Sequence, residues 1–346
     1  MASINSDLGL KTDKKYMLEA ISVASKSNLD VYPNPKVGCV IVKNNKIISR
    51  GRTSKFGSNH AEINALKSID KEIKDLTMYV TLEPCHHYGK TPPCTNLINP
   101  NQFTRIVIAE KDPFVTAGGG AEFLKKLNIQ VEIGLCKDEA RKLNEKFYVF
   151  HEKKRPYVIL KYASSLDGYI ALKNGLSKWI TNDNSRSLSH KTRSECDAIL
   201  VGRKTVQLDN PSLTSHGKGK DPVIIIIDNK QKVDKKSQIF KKNKKVIIFT
   251  EKELNNSHIN NIKVILNKLY IMDIQSVLVE GGGSTITSFL ESGLFDELNI
   301  YIAPKFFGQG IPLFQTEGDN INRYNLKLDH VEPIKNDVKI VYKREN

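Results

Sequence analysis

The sequence predicts an α/β protein built from two domains. Short apolar strands alternate with helical segments, a pattern typical of folds in which helices cover a sheet. With 346 residues the chain is long enough to bury two cores. A charged segment that ends in proline, residues 152–156, separates two apolar patterns. We therefore expect a first domain at residues 1–153 and a second at 154–346.

Strands and helices alternate through the first half. Apolar residues at helical spacing, among them Met17, Ala20 and Ala24, predict a core-packing helix over residues 14–26. The segment 60–68 is expected to be a helix with Ile63 and Leu66 facing inward. Further expected elements are a hairpin of strands 37–42 and 46–50, strands 78–82, 105–110 and 131–134, and a closing helix 137–147. This alternation predicts an α/β/α sandwich.

The second half contains continuous apolar runs, which are typical of strands buried on both faces. They occur at residues 223–227 and 246–249, and further strands are expected at 157–162 and 276–279. The last of these precedes a glycine-rich segment and a predicted helix at 285–291.

Composition limits the class of protein. The hydrophobic fraction of 39% and the charged fraction of 26% are ordinary for a globular chain. The longest apolar run, residues 223–227, is too short to span a bilayer. The first residues lack the pattern of a secretory signal, and the five cysteines are scattered in a way that is not typical of a disulfide framework. We therefore expect a cytoplasmic protein with reduced thiols and no membrane partner.

A net charge of +15 raises the question of nucleic acid. The excess is mostly lysine spread along the chain, which favours a solvated surface. Attraction of phosphorylated small molecules or of RNA stays open as an alternative.

Three ligand-type side chains and one carboxylate indicate a catalytic zinc site. His60, Cys85 and Cys94 supply three ligands, whereas structural zinc sites normally have four. Glu62, two residues beyond the histidine, can shuttle a proton between a metal-bound water and a leaving amine. His-x-Glu with Pro-Cys is the signature of zinc nucleobase deaminases, although eight residues separate the cysteines here instead of two.

Alternatives remain for these residues. His86 and His87 compete as ligands, and His60 and the cysteines can simply be core residues. Proline at position 84 favours a helix that begins at Cys85, with the thiolate at the helix N-terminus.

The segment Glu280-Gly281-Gly282-Gly283-Ser284 lies between a predicted strand and a predicted helix. Backbone amides of such a loop can approach a pyrophosphate, although the pattern matches no standard nucleotide motif and a plain turn is the alternative. Trp179, the sole tryptophan, lies between Ser177 and Thr181 and either forms a wall for a planar ring or packs in the core.

Taken together, these motifs resemble the bifunctional deaminase-reductases of riboflavin biosynthesis over residues 14–345. In the first half the resemblance rests on Pro33-Asn34-Pro35, His60-Ala61-Glu62, Glu83-Pro84-Cys85 and Gly89-Lys90-Thr91-Pro92-Pro93-Cys94. In the second half it rests on Ser165-Leu166-Asp167-Gly168, Trp179-Ile180-Thr181, Asp209-Asn210-Pro211 and Glu280-Gly281-Gly282-Gly283.

The resemblance implies a cytidine-deaminase-like α/β/α sandwich followed by a dihydrofolate-reductase-like α/β domain. It implies zinc-dependent removal of an amino group from a diaminopyrimidinone ribosylamine phosphate, then NADPH-dependent reduction of the ribosyl group to ribityl. Glu62 would be catalytic, with zinc on His60, Cys85 and Cys94. Implied NADPH contacts are Ala163, Trp179, Thr205, Asp209, Gly282, Gly283 and Ser284. Implied substrate contacts are Asn34, His87, Lys90, Ser177, Arg193, Leu213, His216 and Glu280.

Three positions depart from the family pattern. His86 stands where serine is usual, the segment 112–115 lacks a second proline, and His216 stands where an arginine often contacts substrate phosphate. The resemblance also implies a homo-oligomer that acts on phosphorylated pyrimidines and does not bind nucleic acid. The alternative is a zinc deaminase that acts on RNA or free nucleosides and carries a non-catalytic C-terminal domain.

Overall fold

The computed structural model describes residues 2–178, 180–242, 245–254, 257–314 and 325–345. The chain divides into two compact units, Met1–Lys153 and Lys154–Asn346. Within the described ranges, no helix combines the length and apolar character needed to cross a membrane.

The first unit is a five-stranded mixed sheet with helices on both faces. Its strands are β1 (Gly38–Lys43), β2 (Lys46–Arg52), β3 (Leu76–Val80), β4 (Phe103–Ile108) and β5 (Gln130–Ile133), in the order β2-β1-β3-β4-β5. Its helices are α1 (Ala2–Ser25), α2 (Ala61–Leu66), α3 (Gly120–Lys126), α4 (Lys137–Lys142) and α5 (Glu145–Lys153), with 3-10 turns at Leu29–Val31 and Cys94–Leu97. β1 pairs antiparallel with β2 and β3, whereas β3, β4 and β5 are parallel.

Two apolar clusters lie on opposite faces of this sheet. One joins α1 and α4 to the sheet, with Met17 and Ala20 fully buried as their spacing predicted. The other joins α2, α3 and α5 to the opposite sheet face. The predicted α/β/α sandwich is therefore confirmed.

Three local predictions were wrong in whole or in part. The fully buried residues of α2 are Ala61, Glu62 and Ala65. Leu66 is half-buried and packs against the core as predicted, whereas Ile63 is half-buried and does not belong to the described core cluster. No helix begins at Cys85, which lies in an irregular loop. The closing helix is divided into α4 and α5, and the amide of Asn144 between them bonds both the N–H and the carbonyl of Lys36.

The second unit is an eight-stranded sheet with a separate two-stranded ribbon. Its strands are β6 (Tyr157–Ser165), β7 (Tyr169–Leu172), β8 (Ala198–Gly202), β9 (Val223–Ile227), β10 (Val246–Phe249), β11 (Ser276–Glu280), β12 (Glu297–Ala303), β13 (Gly310–Pro312), β14 (Leu326–Ile334) and β15 (Asp337–Arg344). Its helices are α6 (Asp183–Ser194), α7 (Arg203–Asp209), α8 (Gln238–Lys242), α9 (His258–Ile271) and α10 (Gly283–Ser292).

The large sheet has the order β10-β9-β8-β11-β6-β12-β15-β14, and β7 pairs with β13. Its first six strands are parallel, while β15 and β14 are antiparallel additions. The apolar runs at 223–227 and 246–249 are strands with the predicted bounds. Because the six strands are parallel, their carboxyl ends share one edge, where side chains distant in sequence are brought together.

Candidate active sites

His60 occupies the residue before α2, in an extended conformation with φ −74° and ψ 168°. This places Glu62 in the first turn of the helix. Cys85 follows β3 through the loop Thr81-Leu82-Glu83-Pro84, and Cys94 is the first residue of the 3-10 turn. Two connections, one between β2 and α2 and one between β3 and β4, therefore bring the predicted ligands to one point.

The three ligand atoms converge closely. The Nδ1 atom of His60 lies 3.4 Å from Sγ of Cys85 and 3.2 Å from Sγ of Cys94. All three ligand atoms lie within 4.8 Å of one another, and they are the one such cluster found among the described residues. A hydrogen bond from the Cys94 thiol, opposed by burial, lowers the pKa of Cys85 to about 4. One imidazole and two thiols are a donor set that fits zinc.

Glu62 is only 3% exposed and lines the same cavity as His60 and Cys85. Burial raises the pKa of its carboxyl to about 7, despite the opposing effect of His60. A carboxyl that titrates near neutrality can both accept and release a proton, which is the property required of a general acid and base.

The cavity has a volume of about 260 Å³ and brings together the predicted substrate residues Asn34, His87 and Lys90. The Nδ1 atom of His87 is buried and has no hydrogen-bond partner among the residues that the structure describes. The ammonium of Lys90 lies 3.9 Å from the ring centre of Phe56.

Sequence reasoning missed Asp112 as a residue lining this cavity. Burial raises the pKa of its carboxyl to about 6, and its side chain accepts a hydrogen bond from the Phe114 amide. An aspartate next to a proline is typical of a turn, so no sequence signal marked Asp112 as a residue of the cavity.

A second cavity, of about 790 Å³, lies at the carboxyl edge of the large sheet. Six of the predicted cofactor residues line it: Ala163, Thr205, Asp209, Gly282, Gly283 and Ser284. Four of the predicted substrate residues also line it: Ser177, Arg193, Leu213 and Glu280. The Gly282 amide donates to Oγ1 of Thr205 over 3.2 Å, and Oγ of Ser177 donates to Asp209 over 3.2 Å. Trp179 lies outside the described residues.

His216 does not belong to the described lining of this cavity. Its ring stacks on that of His190, with centroids 4.0 Å apart and planes at 16°. Burial and the nearby Arg193 lower the pKa of both histidines. A substrate contact for His216 stays a prediction.

Lys161 is a further cavity residue to which sequence reasoning assigned no role. Burial lowers the pKa of its ammonium, and the charge of Glu280 opposes this. The available signal was a lysine that directly follows the apolar residues Val158-Ile159-Leu160 of one strand.

Family models match both halves of the chain. Residues 10–110 match the cytidine and deoxycytidylate deaminase zinc-binding region, and residues 156–340 match the RibD C-terminal domain. The riboflavin biosynthesis protein RibD of Aquifex aeolicus is 39% identical over 350 residues, which cover 96% of this chain and 98% of that protein. This chain belongs to the RibD family. RibD of Escherichia coli is 33% identical, over an alignment that covers 86% of this chain and 89% of that protein.

Solved structures agree with the RibD assignment over both units. A deaminase-reductase of Thermotoga maritima has a TM-score of 0.85 and 37% identity, covering 97% of this chain and all of that chain (100%). RibD of Acinetobacter baumannii has a TM-score of 0.85 and 32% identity over 97% of this chain.

These matches settle the class of enzyme. The chain is a bifunctional deaminase and reductase of riboflavin biosynthesis, a hydrolase joined to an oxidoreductase. The cytidine-deaminase-like and dihydrofolate-reductase-like folds are confirmed, and zinc and NADPH are the cofactors. A deaminase with a non-catalytic C-terminal domain is not favoured.

Proposed function

We propose that the chain deaminates 2,5-diamino-6-(5-phosphoribosylamino)pyrimidin-4-one and then reduces the ribosyl group of 5-amino-6-(5-phosphoribosylamino)uracil to ribityl. The relative from Thermotoga maritima is described as the deaminase and reductase of these compounds. The observation that carries the proposal is the presence of two chemically distinct cavities in one chain, one around His60, Cys85 and Glu62 and one around Glu280 and the glycine loop.

We assign the deamination to residues 1–153. His60, Cys85 and Cys94 would hold the zinc, which would lower the pKa of a bound water to near neutrality. Glu62 takes a proton from the attacking water and delivers it to the leaving amino group, so that water is consumed and ammonia leaves. Its burial beside the ligands supports this role, because a carboxyl with a pKa of about 7 exchanges protons readily at neutral pH.

The remaining cavity groups bind the substrate. Asn34 is assigned to the pyrimidine ring, because an amide offers both a donor and an acceptor to a base edge. His87 and Lys90 are assigned to the phosphorylated sugar. The unpartnered Nδ1 of His87 supports this, since a buried polar atom without a partner is costly unless a ligand satisfies it.

We assign the reduction to residues 154–346. Bound NADPH would supply the hydride, and the residues of the second cavity would orient the two reactants. Gly282, Gly283 and Ser284 lie after β11 where a pyrophosphate can approach the backbone, with Ala163, Thr205 and Asp209 as the other cofactor contacts.

Ser177, Arg193, Leu213, Glu280 and His216 are assigned to the reductase substrate. Lys161 is half-buried in the same cavity, where the charges of Glu280 and Arg193 act on its pKa, and we assign to it the donation of a proton to a sugar oxygen. A lysine whose pKa is lowered releases its proton more easily than one in water.

The proposal is tested by a paired assay on the purified chain. The diaminopyrimidinone is supplied with NADPH, and ammonia release and NADPH oxidation are measured together with zinc content. We expect one zinc per chain, ammonia release without NADPH, and NADPH oxidation only after deamination. Ammonia release with no NADPH oxidation on the deaminated compound would contradict the assignment of the second domain.

We further infer a homo-oligomer in the cytoplasm that acts on small phosphorylated pyrimidines and does not bind nucleic acid. None of the five cysteines, all of which lie among the described residues, forms a disulfide bond, which suits a reducing compartment. Light scattering on the purified chain tests the oligomeric state, and a mass equal to one chain would contradict it.

A further inference from the structure

His86 and Thr95 directly follow the two cysteines of the zinc site. Their side chains are hydrogen-bonded, with 2.9 Å between Nδ1 of His86 and Oγ1 of Thr95. Eight residues separate Cys85 from Cys94 along the chain, and this bond joins the residues next to both of them. The bond therefore closes the loop between the cysteines at its base.

Both ends of this bond are held by helix α3 and the turn before it. The ring of His86 stacks on that of Phe123 in α3, with centroids 4.2 Å apart and planes at 26°. The His86 amide donates to the carbonyl of Ala117 over 3.1 Å. Thr95 is only 1% exposed, and a Cβ atom at Gly120, the first residue of α3, would lie 3.2 Å from its methyl carbon. The bond between His86 and Thr95 is thus fixed relative to α3.

The backbone contacts between the two cysteine segments are longer. The amide of Thr95 lies 3.3 Å from the carbonyl oxygen of Cys85, and the amide of Cys94 lies 3.3 Å from Sγ of Cys85. Cys85 lies in an irregular loop, and Cys94 begins a 3-10 turn of four residues. Because neither cysteine lies in a strand or a long helix, side-chain contacts contribute to setting the separation of their sulfur atoms.

His86 does not belong to the ligand set itself. Among the described residues, the cluster of possible ligand atoms consists of His60 and the two cysteines. Nδ1 of His86 is bonded to Thr95, and the exposed ring stacks on Phe123 outside the described lining of the first cavity. Its contacts therefore act on the ligands through the loop.

We propose that His86 is a positioning residue, which through its bond to Thr95 holds Cys85 and Cys94 at the separation that retains zinc. This inference rests on the proposed ligand set. The serine that is usual at this position has no ring to stack on Phe123, so the brace formed by His86 and Thr95 depends on the histidine. Replacing a residue that orients metal ligands weakens metal binding by roughly 10- to 100-fold, because the ligands are then no longer held in place for the metal.

The test measures how fast the full-length, zinc-loaded chain releases zinc to a colour-forming chelator. His86→Phe keeps the stacked ring and loses the bond, whereas Thr95→Val keeps the side-chain shape and loses the bond. Each should release zinc roughly tenfold faster than wild type. Thr95→Ser retains the hydroxyl and should release zinc at the wild-type rate. The double variant His86→Phe/Thr95→Val should be no faster than either single variant, because both changes remove the same bond.

Two further measurements separate the brace from other roles. Tyr88→Phe removes a hydrogen bond in the same loop, from the Asn96 side-chain amide to the Tyr88 hydroxyl over 3.3 Å, and should leave the release rate unchanged. X-ray absorption spectroscopy of the zinc-loaded chain should find one imidazole and two sulfur ligands in both wild type and His86→Phe.

Loss of an imidazole from the metal in His86→Phe would make His86 a ligand and overturn the inference. Wild-type release rates in His86→Phe and Thr95→Val would also overturn it, as would additive effects in the double variant or fast release from Thr95→Ser. A wild-type chain that holds no zinc would instead overturn the proposed ligand set.

Discussion

Arg193 and Glu280 form a two-point ion pair inside the second cavity. Nε of the arginine lies 3.1 Å from Oε1 of the glutamate, and Nη2 lies 2.8 Å from Oε2. Each side chain is only 12% exposed. Burial alone would raise the pKa of Glu280, but Arg193 and Lys161 bring it down to about 2. The cavity therefore keeps a fixed carboxylate at all physiological pH values.

This pair predicts a stability effect that depends on pH. Because the pKa falls from 4.5 to about 2 on folding, the stabilisation is complete above pH 4.5 and is lost as pH falls toward 2. We expect Glu280→Gln to lower the free energy of unfolding by about 3 kcal/mol at pH 7. The difference in unfolding free energy between wild type and Glu280→Gln should become smaller below pH 4.5.

Urea unfolding followed by tryptophan fluorescence measures this effect, because the sole tryptophan belongs to the second unit. Glu251→Gln, at an exposed position of the same unit, is the control. A difference that stays constant from pH 6 to pH 3 would rule out the ion pair as its cause.

A second prediction concerns Glu62. Replacing it with glutamine keeps the shape of the side chain but removes proton transfer, so kcat for ammonia release should fall by about 10³-fold. Zinc content and NADPH oxidation on the deaminated substrate should be unchanged. The exposed Glu72→Gln serves as the matched control. Loss of both activities in a folded variant would contradict two separate sites.

The metal cluster gives a third prediction. Chelation of zinc should abolish ammonia release and spare NADPH oxidation, and added zinc should restore the first activity. Cys94→Ser should lower zinc content, whereas Cys136→Ser, which lies outside the cluster, should not. Full zinc occupancy in Cys94→Ser, measured by atomic absorption, would remove Cys94 from the ligand set.

The sequence predicted the bounds of the two continuous apolar strands of the second unit correctly. The strand 223–227 lies between two parallel neighbours and its three central residues are buried, whereas the strand 246–249 lies at the sheet edge and is mostly half-buried. Cys85 shows the opposite case. The proline before it is compatible with the start of a helix, yet Cys85 lies in an irregular loop. In that loop the amide of Cys94 donates a hydrogen bond to Sγ of Cys85 over 3.3 Å.

Arg203 and Lys230 also line the second cavity, and sequence reasoning missed them for a topological reason. Lys230 and Arg203 are distant in sequence and become neighbours only because β9 pairs with β8. No local pattern encodes strand order. Motif residues such as His60, Cys85 and Cys94 were accessible because their chemistry is specific even before their positions are known.

The glycine loop allows cofactor binding to be separated from folding by two adjacent substitutions. A Cβ atom at Gly283 would lie 2.5 Å from the Leu313 carbonyl oxygen, so Gly283→Ala must displace backbone and should cost about 1–3 kcal/mol of stability. A Cβ atom at Gly282 meets nothing closer than Oγ1 of Thr205 at 3.9 Å, and its φ of −66° suits any residue. Gly282→Val should therefore leave the unfolding midpoint unchanged but fill space in the cavity, raising the dissociation constant for NADPH at least tenfold while ammonia release is retained. Unaltered NADPH binding in folded Gly282→Val would show that the cofactor does not approach this loop.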